Sequence, residues 1–300
     1  YDCINLIALA AESIGSTKPA DIAGAIASVS TSGTICDSFQ ECNEALVASR
    51  NIDYDGPSGY LAIGVDGNVT SSVFEKFTFD NGAGATVAGY VFLPPQAKVR
   101  GPLPAVLYCH WHGGQYDIGK DEMLQTNAVP VAAGPALARL GYVVLGVDAY
   151  CFGERNGQGP GGPAEKGSAG EMTASKFQLW AGRTLWGMML RDDRMALDYL
   201  VSRPEVDTQR IGVTGISMGA TRSWWLMALD ERLRAGVAVA CMTRYTELIR
   251  EGGLKAHGIY YFVPGLLRHF DTEAVMALAA PRPLLFMTGG KDSGSPASGI

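Results

Sequence analysis

Beyond about residue 76 the apolar positions fall into two alternating patterns. Residues 105–110, 142–147, 211–214, 235–240 and 283–288 are short, continuous apolar runs, as strands covered on both faces require. Residues 130–140, 172–201, 220–229 and 272–278 carry apolar positions at helical spacing instead. Their alternation predicts an α/β domain with a mostly parallel, doubly wound sheet. Two more strands read at 74–79 and 86–93. Between 151 and 170 glycine and proline are too frequent for either element. That stretch predicts a mobile loop over a site. No Gly-Lys-Ser/Thr follows it, which argues against a phosphate loop.

The pattern before residue 76 is different. Two helices read at 2–14 and 19–29, the second opening on Pro19, which suits a first helical turn. A short helix through Ala48 follows, then the turn formers Asp53-Tyr-Asp-Gly-Pro-Ser-Gly and a hairpin around Asp66-Gly67-Asn68. Asn68-Val-Thr matches a glycosylation sequon by pattern and is read as a turn. The expected organisation is a segment 1–75 and a domain 76–300.

Composition narrows the function classes. The chain has 300 residues, 47% of them hydrophobic, and a net charge of −6 with no basic stripe. That balance argues against a nucleic-acid partner. No window reaches the ~18 apolar residues of a membrane span. Six cysteines divide into two kinds. Cys36 and Cys42 flank a polar loop and predict a disulfide, hence an oxidising compartment. Cys3, Cys109, Cys151 and Cys241 lie among apolar residues and read as buried small hydrophobes. No C-x-x-C or H-E-x-x-H spacing points to a metal, and no cofactor is expected. Nothing in the sequence speaks to oligomeric state.

The chemistry centres on Gly215-Ile216-Ser217-Met218-Gly219, placed between a strand pattern and a helix pattern. A G-x-S-x-G run in that context is a nucleophile elbow, with glycines where side chains would crowd the turn. Around it stand His110-Trp-His-Gly-Gly-Gln-Tyr, Asp148-Ala-Tyr-Cys-Phe-Gly-Glu-Arg, Thr184-Leu-Trp-Gly-Met-Met-Leu-Arg-Asp-Asp, Arg203-Pro-Glu-Val-Asp and Gly289-Gly-Lys-Asp, in that chain order. By these motifs residues 76–300 resemble the α/β-hydrolase superfamily, in its dienelactone-hydrolase and acetyl-xylan-esterase-like branch.

The resemblance implies a serine hydrolase acting on a small-molecule carboxylic ester through an acyl-enzyme. Ser217 is the nucleophile, and Met218 N–H is one oxyanion donor. His112 N–H is the expected second donor, with Gly113 as runner-up. Asp292, after a late strand, is the expected acid, and Asp271 a weaker candidate. In this fold the base follows the acid, yet only eight residues follow Asp292 and none is histidine. His257 and His269 precede it, and a swapped role for His269 stays open. The expectation is a chain whose last strand, helix and base are absent, and whose activity is impaired.

Other residues have expected roles as well. Trp111, Glu154 and Arg155 are candidate substrate contacts, the last two alternatively pins for their loop. His110 and His112, alternating on an extended segment, are expected to point opposite ways. Trp180, Trp186, Trp224 and Trp225 read as core, and residues 191–194 as an ion-paired helix segment.

Residues 1–75 carry a second resemblance. Tyr1-Asp2…Leu6-Ile-Ala-Leu-Ala-Ala-Glu, Cys36…Ser38-Phe…Glu41-Cys42 and Asp53-Tyr-Asp-Gly-Pro-Ser-Gly are similar to the C-terminal end of a periplasmic branched-chain amino-acid binding protein of an ABC transporter. That implies a chimeric chain with an extracytoplasmic first segment. Three functions compete in order: a carboxylic-ester hydrolase, a prolyl-oligopeptidase-like serine peptidase, and an amino-acid-binding transporter component.

Overall fold

The apolar runs become the strands of one seven-stranded sheet. A computed structural model describes residues 2–56, 61–63, 69–72, 74–94, 101–126, 131–292 and 294–300. Contacts divide the chain into two units. The first comprises Tyr1–Glu75, Phe92–Val99 and Leu124–Gly141, and the second Lys76–Val91, Arg100–Met123 and Tyr142–Ile300.

The chain runs α1 (Asp2–Ile14), α2 (Pro19–Ala25), β1 (Thr34–Cys36), α3 (Phe39–Val47), β2 (Ile52–Tyr54), β3 (Leu61–Ile63) and β4 (Val69–Ser72). It continues with β5 (Phe74–Asp80), β6 (Thr86–Phe92), β7 (Leu103–Cys109), α4 (Ala133–Arg139), β8 (Val143–Val147), α5 (Gly167–Trp180) and α6 (Leu185–Ser202). Last come β9 (Val206–Ile216), α7 (Met218–Leu229), β10 (Leu233–Val239), α8 (Tyr245–Arg250), α9 (Thr272–Ala277) and β11 (Leu284–Met287).

In the first unit, Leu6, Leu9 and Ala10 of α1 lie one helical turn apart and pack on Val29, Ala45, Ile52 and Tyr54. Cys3, a turn earlier, is exposed and not part of this core. The helix predicted over 19–29 tightens into a 3-10 turn after Ala25. β1 and β2 pair in parallel. Cys36 on β1 is disulfide-bonded to Cys42 on α3, whose first turn is capped by Ser38 accepting Glu41 N–H. β3 and β4 pair antiparallel, as the hairpin requires. Its turn at Asp66–Asn68, with the sequon asparagine, lies outside the described residues, as do Tyr1 and residues 57–59 of the turn-former run.

In the second unit the sheet order is β11-β10-β9-β7-β8-β6-β5, with β8, β7, β9, β10 and β11 parallel. After β7 the chain adds β8 on one side, then crosses back to place β9 on the other. Ligands of open α/β sheets bind at such a switch point, outside the carboxyl ends of the strands. Here those ends are level, since Cys109 pairs with Gly215 and Val239 with both Ile216 and Met287.

The helix predicted over 172–201 is two helices. Gly182 takes φ 71° between them, and Thr184 caps α6 by accepting Gly187 N–H at 2.9 Å. The glycine-rich stretch is not wholly irregular either. It holds a 3-10 turn at Gly153–Arg155, and α5 begins inside it at Gly167. The short α8 carried no sequence signal. Asp271 holds it by accepting the N–H groups of Tyr245 and Thr246, while also accepting Thr272 N–H at the start of α9.

Candidate active site

Two strand ends and one tight turn place Ser217. It takes φ 56° and ψ −118° between β9 and α7, a sparsely populated conformation that costs about 1–3 kcal/mol. Its neighbours must be glycine because the last carbonyl of β7 presses on both. A Cβ on Gly215 would meet Cys109 O at 2.3 Å, and one on Gly219 at 1.9 Å. Ser217 N–H is fixed by Val239 O at 2.8 Å, while its side chain is half-buried and open to solvent. Met218 N–H opens α7, where a helix leaves its first amides unpaired and the macrodipole favours negative charge.

The loop after β7 is held peptide by peptide. Trp111 N–H donates to buried Glu122 at 2.5 Å, and the carbonyl of the same peptide, His110 O, accepts from buried Arg222 at 3.4 Å. Ala149 N–H donates to His110 Nε2 at 3.0 Å, so the imidazole proton sits on Nδ1 and donates to Trp111 O at 2.7 Å. Burial, with the Arg222 charge second, pushes the His110 pKa well down and keeps the ring neutral. Trp111 C=O thus faces inward, and the amide of the same planar unit, His112 N–H, faces the other way. The His112 ring is held too. Gly114 N–H donates to its Nδ1 at 3.0 Å, and its Nε2 lies 3.4 Å from the buried Glu171 carboxylate. The expectation that the two imidazoles part company is not met, because both lie against Phe152 with centroids at 5.2 and 4.9 Å.

Cys241 is the residue whose role sequence reasoning missed. Read as a buried hydrophobe, it lies with its Sγ 3.6 Å from Ser217 Oγ. Ala240 and Cys241 both take positive φ (64° and 51°), which swings the thiol back over the elbow. The apolar run carries no signal for that reversal. Burial pushes the thiol pKa up, against the contact with Ser217.

Asp292 follows β11 and is half-buried, with its carboxylate accepting Gly294 N–H at 2.9 Å. Its charge is felt by both Cys241 and His257. His257 Nε2 donates to Gly294 O at 2.8 Å, and its ring stacks on Tyr261 at 4.4 Å. None of the four histidines hydrogen-bonds Ser217 among the described residues. His269 is exposed. Asp271, occupied with two helix N-termini, is a structural carboxylate.

Glu154 and Arg155 are pins of their loop. Arg155 is buried, 2.8 Å from Asp192, and donates to Asp148 O at 3.1 Å. Glu154 pairs with Lys120 at 2.6 Å and Lys76 at 2.9 Å. Buried Lys120 also meets Asp148 at 2.9 Å. Trp111 is half-buried over Gly113, where a Cβ would meet the indole at 1.9 Å. Trp186 and Trp224 are core, whereas Trp180 is 95% exposed. Among the described residues no cluster of three or more His, Cys, Asp or Glu could hold a metal, and no helix is long and apolar enough to cross a membrane.

Residues 71–295 match the Abhydrolase family. YtaP of Bacillus subtilis strain 168, named as a hydrolase, is 39% identical over 211 residues, covering 70% of this chain and 67% of that one. A Bacteroides fragilis protein named as an acetyl xylan esterase has a similar structure, with TM-score 0.58 at 20% identity over 71% of this chain and 58% of that one. A glucuronoyl esterase from Solibacter usitatus gives 0.52 at 17% identity over 74% and 65%. The chain spans less than two thirds of either solved protein, and likeness at these identities speaks for the α/β-hydrolase fold alone.

Proposed function

The chain belongs to the Abhydrolase family, and from that premise we propose that it is a serine esterase whose nucleophile is Ser217. In the proposed reaction Ser217 Oγ attacks the carbonyl carbon of a carboxylic ester, and its proton passes to solvent water as the C–O bond forms. Negative charge gathers on the former carbonyl oxygen, between Met218 N–H and His112 N–H. Collapse breaks the bond to the alcohol oxygen, which takes a proton from solvent water as it leaves, and the remaining acyl-serine is hydrolysed by water. Prepositioned amides act where charge develops and need no reorganisation. Asp292 is the acid of the triad in this reading. What carries it is the strained, solvent-reaching Ser217 at the carboxyl ends of β7 and β9, at the first amides of α7.

Among the described residues no histidine hydrogen-bonds Ser217 Oγ, and a serine without such a base is acylated slowly. An active site lacking one triad member retains about 10³–10⁴-fold over water. Labelling the full chain with a fluorophosphonate, then mapping the adduct, tests the nucleophile. Label on Ser217, lost in Ser217→Ala, is the expected result, together with weak turnover of an aryl acetate. Absence of label from the native chain, or label elsewhere, overturns the reading.

A further inference from the structure

We propose that Glu122 is a positioning residue for the loop 110–114: its charge fixes the peptide ahead of His112 N–H and thereby governs how fast Ser217 is acylated. The inference rests on reading His112 N–H as an oxyanion donor. Glu122 lies on a 3-10 turn, Gly119–Leu124, and is 2% exposed. Its Oε2 accepts Trp111 N–H at 2.5 Å, and its Oε1 accepts the Tyr108 hydroxyl at 2.8 Å. The peptides on either side of Trp111 meet at its Cα: the first is held by Glu122, and the second, which carries His112 N–H, is held at Trp111 O by the His110 Nδ1 proton. Displacing the first moves the point from which the second hangs. A hydrogen bond to an ionised carboxylate is roughly twice as strong as a neutral one, so loss of the Glu122 charge loosens the first peptide.

The titratable and charged groups that face Glu122 come from β7, α7, the loop and its own turn. From β7, Tyr108 and Cys109 face it. Burial pushes the tyrosine up, and the thiol up to about 12. From α7, Arg222 faces it and stays charged beside Asp193. His110 on the loop is held neutral. Lys120, on the same turn, is saturated by Asp148 and Glu154. For Glu122, burial outweighs the bonds from Trp111 and Tyr108 and lifts its pKa to about 7.

The test uses the full chain and three proteins: wild type, Glu122→Gln and Tyr108→Phe. In wild type, the amide resonances of Trp111 and His112 are expected to shift together with a midpoint at about pH 7. In Glu122→Gln that transition vanishes. In Tyr108→Phe, which removes a bond that favours the carboxylate, it moves to higher pH. Phosphonylation of Ser217 is expected to slow about tenfold in Glu122→Gln at about pH 8 and to match wild type at about pH 6, with unchanged thermal stability at the lower pH. Amides that do not titrate, that titrate equally in Glu122→Gln, or labelling rates equal to wild type throughout overturn the proposal. Failure of wild type to label at any pH, with the amide transition present, instead overturns the esterase reading.

Discussion

Two buried groups that hold the loop after β7, Glu122 and His110, have folded-state pKa values displaced in opposite directions, and each displacement has a stability consequence. Glu122 is raised from 4.5 to about 7. Between those values the folded chain holds a proton that the unfolded chain releases. Its contribution is therefore full below the ordinary carboxyl range and is lost as pH rises through about 7. The loss is on the order of 3 kcal/mol. His110 is lowered, so its contribution is present above 6.5 and lost as pH falls. Urea unfolding of wild type and Glu122→Gln at about pH 5 and about pH 8 separates the two. Wild type is expected to lose stability relative to the variant at the higher pH, and a constant difference would refute the assignment. Residues such as Ser217 and Gly219 were legible in the sequence because local sterics dictates them. Glu122 was not, since its role comes from burial by β7 and α7. Nor was Cys241, which needs two consecutive left-handed residues that no composition announces.

Among the elements, α6 and α7 are joined by a buried ion pair. Arg222 Nε donates to Asp193 Oδ2 at 2.8 Å, with Nη2 on the second oxygen. The two residues are 0% and 1% exposed. Replacing both by apolar side chains could cost little, but removing one partner strands a charge in the core. Asp193→Ala is expected to destabilise the second unit by about 3–5 kcal/mol, read as a shift in the denaturant midpoint. Because Arg222 also donates to His110 O, slower Ser217 labelling should accompany the loss under native conditions. A midpoint within error of wild type would show that the pair is not held as described. The parallel strands were legible at this scale because burial on both faces writes itself as continuous apolar runs. The break between α5 and α6 was not, since helical spacing continues across Gly182, where the backbone turns left-handed, and Thr184 then starts α6 as its N-cap.

For the chain as a whole, the two units carry separate cores, and the spectroscopic reporters are unevenly shared. Trp111, Trp180, Trp186, Trp224 and Trp225 are all the tryptophans in the sequence, and all belong to the second unit. The disulfide belongs to the first, where it closes a loop of sequence separation 6 between β1 and α3. A crosslink over so short a loop contributes about 2 kcal/mol, chiefly by restricting the unfolded chain. Reduction should therefore weaken the packing of α1–α3 without touching what the tryptophans see. Thermal unfolding followed in parallel by far-ultraviolet circular dichroism and by tryptophan fluorescence, with and without a phosphine reductant, reads both. The expected outcome is an early helical loss under reduction with an unchanged fluorescence midpoint. Equal shifts in both signals would mean that the units unfold as one cooperative body. No shift in either would mean that the bridge contributes nothing to the first unit's stability.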